Sequence, residues 1–238
     1  MKNCFLFILA LIIASPLAAQ QKESSQLKLN SAVDSACYAI GILNGVSLRE
    51  NIKTFPGGEY NLFALAEGFV QSLIGDLESL LMNPSNAQMY FQNFMSSIAE
   101  KEAEAAIAEE KRFLDENKTK AGVITTESGL QYKVLKPGEG DKPAREDRVT
   151  VHYTGKLMDG TVFDSSEERG EPITLGVGQF INGWTELLQL MPLGSRYQAW
   201  IPSALAYGAQ GAGQVIKPYT PLIFEVELLG IEVVESDE

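Results

Sequence analysis

VHYTGKLMDGTVFD, from Val151 to Asp164, is the stretch on which the fold reading turns. Val149, Val151 and Tyr153 alternate with Thr150, His152 and Thr154, a period of two that predicts a half-buried strand with Tyr153 directed inward. Gly155 closes the run, Asp159-Gly160 reads as a tight turn, and Phe163 and Asp164 follow on the next extended piece. Two strands that send a tyrosine and a phenylalanine inward beside one aspartate have the composition of a pocket wall for a small ligand or a peptide side chain. Ordinary core aromatics would read the same way from this stretch alone.

The surrounding residues extend the pattern. Upstream, Leu130 to Leu135 alternates as a strand, and Pro137-Gly138-Glu139-Gly140 is a turn. Downstream, Thr174-Leu175-Gly176 is short and extended. Gln179 to Glu186 opens a short helix, with Ile181, Trp184, Leu187 and Leu188 on one face. Arg196 to Ile201 alternates again. Pro202 to Tyr219 is a long loop rich in Gly, Ala and Gln, and Pro221 to Leu229 closes the sheet with Phe224, Val226 and Leu228 against Glu225 and Glu227. Antiparallel strands wrapped on one short helix make an α+β domain.

The N-terminal half reads differently. Lys2, the apolar run Phe5 to Ile13, and the small residues Ser15, Ala18 and Ala19 predict a secretory signal over residues 1–19, cut before Gln20. Cys37 is then the one cysteine left, and its apolar helical surroundings predict burial. From Asn30 to Leu81 apolar residues recur at helical steps: Ala36, Ile40 and Leu43, then, after Pro56-Gly57-Gly58, Leu62, Leu65, Phe69, Leu73 and Leu77. So few residues with such wide apolar faces make a poor core alone, and a second copy is expected to cover them. From about Asn86 to Lys118 the chain holds no Pro or Gly, which predicts one helix of roughly 50 Å. Its Ala- and Glu-rich middle reads as a solvated stalk with pairs such as Glu109 with Arg112.

The net charge of −12 excludes the basic surplus that nucleic-acid or anionic-lipid binding requires. No Cys/His cluster has metal-ligand spacing, and no Gly-rich phosphate loop is present, so no cofactor is expected. His152 is the single histidine and reads as structural. What remains is an aromatic-lined pocket with hydroxyls and one carboxylate, fit for a reaction without covalent or proton-transfer steps. Rotation about an X–Pro amide is such a reaction, with a resonance barrier of about 18–20 kcal/mol.

The combination of VHYTG, DG and FDSS, then INGW, LAYG and PLIFEVELL, resembles the FKBP-type peptidyl-prolyl cis-trans isomerases over about Gly129 to Glu232. The helical N-terminal half resembles the exported, dimeric Mip-like subfamily. The resemblance implies catalytic roles for Tyr153, Asp164 and Tyr207. It implies a substrate pocket of Phe163, Leu175, Phe180, Ile181, Trp184, Val215, Ile216 and Phe224, with Trp184 as the floor under the proline ring. Phe180 stands where the family usually has a smaller aliphatic residue. Leu175 substitutes for a pocket phenylalanine of the single-domain members. The expected organisation is a signal peptide (1–19), a helical dimerisation domain (20–85), a long linker helix (86–121) and an isomerase domain (122–238). The expected partners are proline-containing unfolded or peptide substrates, a second copy of the chain, and macrolide inhibitors. The expected location is the periplasm or the outer membrane surface. A non-catalytic periplasmic holdase is the alternative, and a surface adhesin on a borrowed fold is a third reading.

Overall fold

The computed structural model describes residues 27–234, in two compact units divided between Leu80 and Leu81. The signal-peptide reading lies outside the described residues.

The first unit holds helices α1 (Ala32–Ile52) and α2 (Leu62–Ile74). A reciprocal cap starts α1: the Asp34 N–H donates to Ser31 Oγ at 3.0 Å, and the Ser31 N–H donates to the Asp34 carboxylate at 2.9 Å. Asn61 caps α2 by accepting from the Phe63 and Ala64 N–H groups. Neither helix buries a residue. Ile40, Leu43, Val46, Phe69 and Leu73 are all more than half exposed. Cys37 is also exposed, against the expectation of burial. Two such helices do not cover each other's wide apolar faces, so the thiol is not packed under any of the described residues.

The second unit opens with α3 (Pro84–Asn117). It begins two residues before the apolar pattern, because Asn83 caps it by accepting from the Asn86 N–H and Pro84 sits in its first turn, where a missing N–H costs nothing. Its exposed pairs are Lys111 with Asp115 and Arg112 with Glu116. Arg112 thus takes the partner four residues on rather than Glu109. The solvated middle is as expected, with Ile107 exposed, but the last turns are not free. Glu110, Leu114 and Asn117 share one stripe, and each meets the sheet-bearing part. Glu110 accepts from Ser203, the Leu114 carbonyl accepts from Gln131 Nε2 at 2.9 Å, and buried Asn117 donates to Gln131 Oε1 at 2.9 Å.

Seven strands follow: β1 (Ile124–Thr125), β2 (Gln131–Lys136), β3 (Arg148–Lys156), β4 (Val162–Ser165), β5 (Ile173–Gly176), β6 (Arg196–Ile201) and β7 (Leu222–Glu232). The sheet order is β1-β2-β6-β7-β3-β4, with β5 also paired to β3, and every pairing is antiparallel. β3 is the hub. β7 lies along one edge, and β4 and β5 share the other. A register shift between Thr150 and Val151 bends this pair, which helps the sheet curl over a helix. That helix is α5 (Asn182–Leu190). It buries Trp184, Leu187 and Leu188 against Val149, Val151, Tyr153, Phe224 and Val226. A one-turn helix, α4 (Ser166–Arg169), follows β4 directly. On the outer face Arg196 meets Glu225 at 2.5 Å and Glu167 at 3.2 Å, which accounts for the charged half of the β6 and β7 alternation.

Gly155 does not end β3, which runs on to Lys156. The glycine serves clearance instead. A Cβ there would lie 2.7 Å from a ring carbon of Phe163 and 2.7 Å from one of Phe224. The two rings that flank the site close over the backbone of β3 because position 155 has no side chain.

Candidate active site

The strand alternation turns Tyr153 inward from β3, and β7 brings Phe224 beside it: Tyr153 pairs in register with Val226, and Gly155 with Phe224. β4 carries Phe163 and Asp164 back along the other edge of β3. The N-terminal turn of α5 sets Trp184 beneath. Tyr153 and Phe224 both stand edge-on to the Trp184 ring, with centroids at 5.3 and 5.2 Å and interplanar angles of 89° and 88°. Phe163 stands edge-on to Phe224 at 5.6 Å. Phe180 lies nearly parallel to Trp184, at 4.8 Å and 17°. Such edge-to-face contacts suit the ring quadrupoles and hold each ring in one orientation.

The polar side of the cage is a triad. The Tyr153 hydroxyl donates to one Asp164 carboxylate oxygen, Arg169 Nη1 donates to the other, and Arg169 Nη2 donates to the Tyr153 oxygen at 3.0 Å. The guanidinium also lies over the Tyr153 ring, 5.7 Å from its centroid. Partial burial works to raise the Asp164 pKa, but the Tyr153 hydroxyl and the Arg169 guanidinium outweigh it and hold the carboxyl below its usual range. Burial, reinforced by the bond to Asp164, pushes the Tyr153 phenol above its usual value. At neutral pH the triad is therefore a carboxylate, a phenol and a guanidinium, with no group poised to take or give a proton.

The remaining candidates divide. Ile181 precedes α5, and its carbonyl accepts from the Trp184 and Thr185 N–H groups. Its own N–H meets no acceptor among the described residues. Tyr207 is exposed, and its hydroxyl likewise has no partner among the described residues. Ile216 is buried in the core and exchanges backbone hydrogen bonds with Ala212 at 2.7 and 3.1 Å, while Val215 beside it is exposed. Leu175 is not brought to the cage. It is exposed and pairs with Val149, four residues from Tyr153, whereas Ile173 is the β5 side chain packed on the core. His152 binds the Ser166 hydroxyl at 3.0 Å, and Ser166 in turn accepts from the Tyr153 N–H, a structural tie for the β3–α4 join. Arg169 was not singled out from the sequence. Its position five residues after Asp164 becomes meaningful only once α4 turns the chain back. Among the described residues no His, Cys, Asp and Glu cluster could hold a metal ion, and no helix is long and apolar enough to cross a membrane.

An apolar, ring-walled site with a tethered carboxylate and, among the described residues, no nucleophile–base pair is suited to binding a conformation, not to making bonds. Residues 139–229 match the family described as FKBP-type peptidyl-prolyl cis-trans isomerase, and residues 33–134 match the domain amino-terminal to it. The chain is 45% identical to the FKBP-type 22 kDa peptidyl-prolyl cis-trans isomerase of Escherichia coli (strain K12), over 82% of this chain and 94% of that one. It is 37% identical to the outer membrane protein MIP of Legionella longbeachae, over 94% and 95%. The crystal structure of FkpA from Escherichia coli superposes with a TM-score of 0.67 at 28% identity, covering 86% of this chain and 99% of that one. The chain belongs to the FKBP-type peptidyl-prolyl cis-trans isomerases, in the Mip-like arrangement of a helical amino-terminal part before the catalytic sheet. It is an enzyme, and its reaction is rotation about the X–Pro amide.

Proposed function

We propose that the cage of Tyr153, Phe163, Trp184 and Phe224 is the slot that receives the proline, and that the enzyme serves the folding of exported proteins as a homodimer. The observation that carries the site reading is the pair of perpendicular rings on Trp184, with Asp164 tied at their margin. The planar amide is held by resonance, and its twisted form separates less charge, so an apolar slot favours the twisted form. Each ~1.4 kcal/mol of that preference is a tenfold gain in rate. The Tyr207 hydroxyl and the Ile181 N–H are free to donate to substrate carbonyls on either side of the bond. Asp164 orders the wall through Tyr153 and Arg169. Phe180, stacked on Trp184, narrows the slot and sets the preference for the residue before proline; Val215 and Ile216 form its far lip. The test is proline-limited refolding with the full chain, with and without a macrolide inhibitor. Acceleration that the macrolide abolishes, and that Phe163→Ala weakens, is expected; turnover indifferent to both would overturn the assignment.

The dimer reading rests on the uncovered apolar faces of α1 and α2. Equilibrium sedimentation at micromolar concentration is expected to give twice the chain mass, and a monomer throughout would refute it. Export rests on the amino-terminal residue pattern. Fractionation is expected to find the mature chain in the periplasm or at the outer membrane; retention in the cytoplasm would contradict it.

A further inference from the structure

We infer that Glu110, on the long helix, is a positioning residue for the isomerase reaction, acting through the loop that carries Tyr207. This inference rests on the assignment of Tyr207 to the site. Glu110 uses both carboxylate oxygens on one residue 93 positions away: Oε1 accepts from the Ser203 N–H at 2.5 Å, and Oε2 accepts from Ser203 Oγ at 2.8 Å. Ser203 is buried and opens the short turn Ser203–Leu205. Pro202, just before it, has no N–H and offers no side-chain cap, so the turn has no local source for the acceptor that its first N–H needs. The helix supplies it.

The connection onward is short. The Ser203 carbonyl accepts from the Ala206 N–H at 2.9 Å, and Ala206 is the residue before Tyr207. Leu205 and Ala206 pack on the core, so the turn has one anchor below and one above. Among the described residues Tyr207 itself has only backbone hydrogen bonds: its carbonyl accepts from Gln210 at 3.2 Å, and the next residue, Gly208, accepts from Tyr219 at 2.8 Å. The exposed ring therefore takes its direction from the turn beneath it. Glu110 is not isolated on the helix. Leu114 and Asn117, one and two turns on, are fastened to Gln131, so the stripe is held in register on the sheet at three levels. Charge-assisted hydrogen bonds to two donors of one residue fix both its distance and its rotation. The catalytic unit accordingly reaches back into the helix at least to Glu110, rather than starting after it near Gly122.

The test is a double-mutant cycle in the full chain, read by turnover of a proline peptide and by thermal unfolding. Glu110→Ala is expected to lower kcat/KM about fivefold, the order of one charge-assisted hydrogen bond felt indirectly. The loss is expected in kcat more than in KM, and Glu110→Gln, which keeps one acceptor, is expected to recover part of it. Tyr207→Phe is expected to cost less in the Glu110→Ala background than in the wild type, because the hydroxyl is already misdirected. A purely structural role would lower the melting temperature and leave the two activity losses multiplicative. That result, or unchanged turnover in Glu110→Ala, overturns the inference while leaving the Tyr207 assignment intact. If Tyr207→Phe alone is silent, the Tyr207 assignment itself has failed, and the inference with it. Should Glu110→Ala not fold, Glu110→Gln and Ser203→Ala carry the same cycle.

Discussion

The two units use similar apolar residues to opposite ends. In the sheet-bearing unit, Val149, Val151, Trp184, Leu187, Val226 and Leu228 are buried, and the rings at the site are locked edge to face. In the helical unit, α1 and α2 carry Ile40, Leu43, Phe69 and Leu73 and bury none of them. A sheet curled on a helix closes a core with its own chain, because antiparallel strands bring distant residues onto one face. Two short helices present stripes too wide for one another. The first arrangement makes a cage that is preorganised; the second leaves an apolar surface uncovered among the described residues.

Substitutions sharpen this contrast in decreasing order of effect. Trp184→Ala removes the ring on which Tyr153, Phe180 and Phe224 all rest, and should cost about 3–5 kcal/mol in thermal or denaturant unfolding, with turnover lost as well. Gly155→Ala pushes a methyl group against Phe163 and Phe224 and should cost about 1–3 kcal/mol, with a clear drop in turnover; a silent variant would mean the rings are free to part. Phe69→Asp on α2 should leave small-peptide turnover unchanged while shifting sedimentation toward monomer. Equal loss of both would erase the distinction between the units.

The smallest effect concerns pH. Asp164 has its folded pKa depressed, so the stability it contributes is present above the ordinary carboxylate range and is lost as pH falls through the depressed value. Around neutrality the profile should be flat. Arg169→Ala removes one of the two groups holding the carboxylate ionised, so the acid limb should move to higher pH, as followed by unfolding across pH 2–6 (on the order of the usual carboxylate range). An unmoved limb would show that Tyr153 alone sets it.

Much of the candidate cage was legible as inward-facing rings because it lies on elements with a simple period. The alternation through Tyr153 placed that residue inward, Phe224 followed from the same rule on β7, and the short helix face identified Trp184. Cys37 was misread from its helical run, whereas Leu175 was assigned through the family resemblance and not from a period. Apolar character in a periodic run marks a face that could be covered, and only neighbours decide whether anything covers it. Leu175 sits beyond the cage on β5, and Cys37 lies exposed on a helix that buries none of its residues.

Local order along the chain was enough to determine most helical and extended segments and the α+β class, since each depends on residue spacing within a few turns or one strand, while the family came from the resemblance of its motifs. Tertiary structure alone decided that Arg169 locks Asp164 to Tyr153, that Gly155 is empty to admit two rings, and that Glu110 holds Ser203. Those contacts join side chains whose separation in sequence carries no period, and a hydrogen bond or a ring contact acts only over a few ångströms. Nothing but the folded backbone brings such groups within that reach.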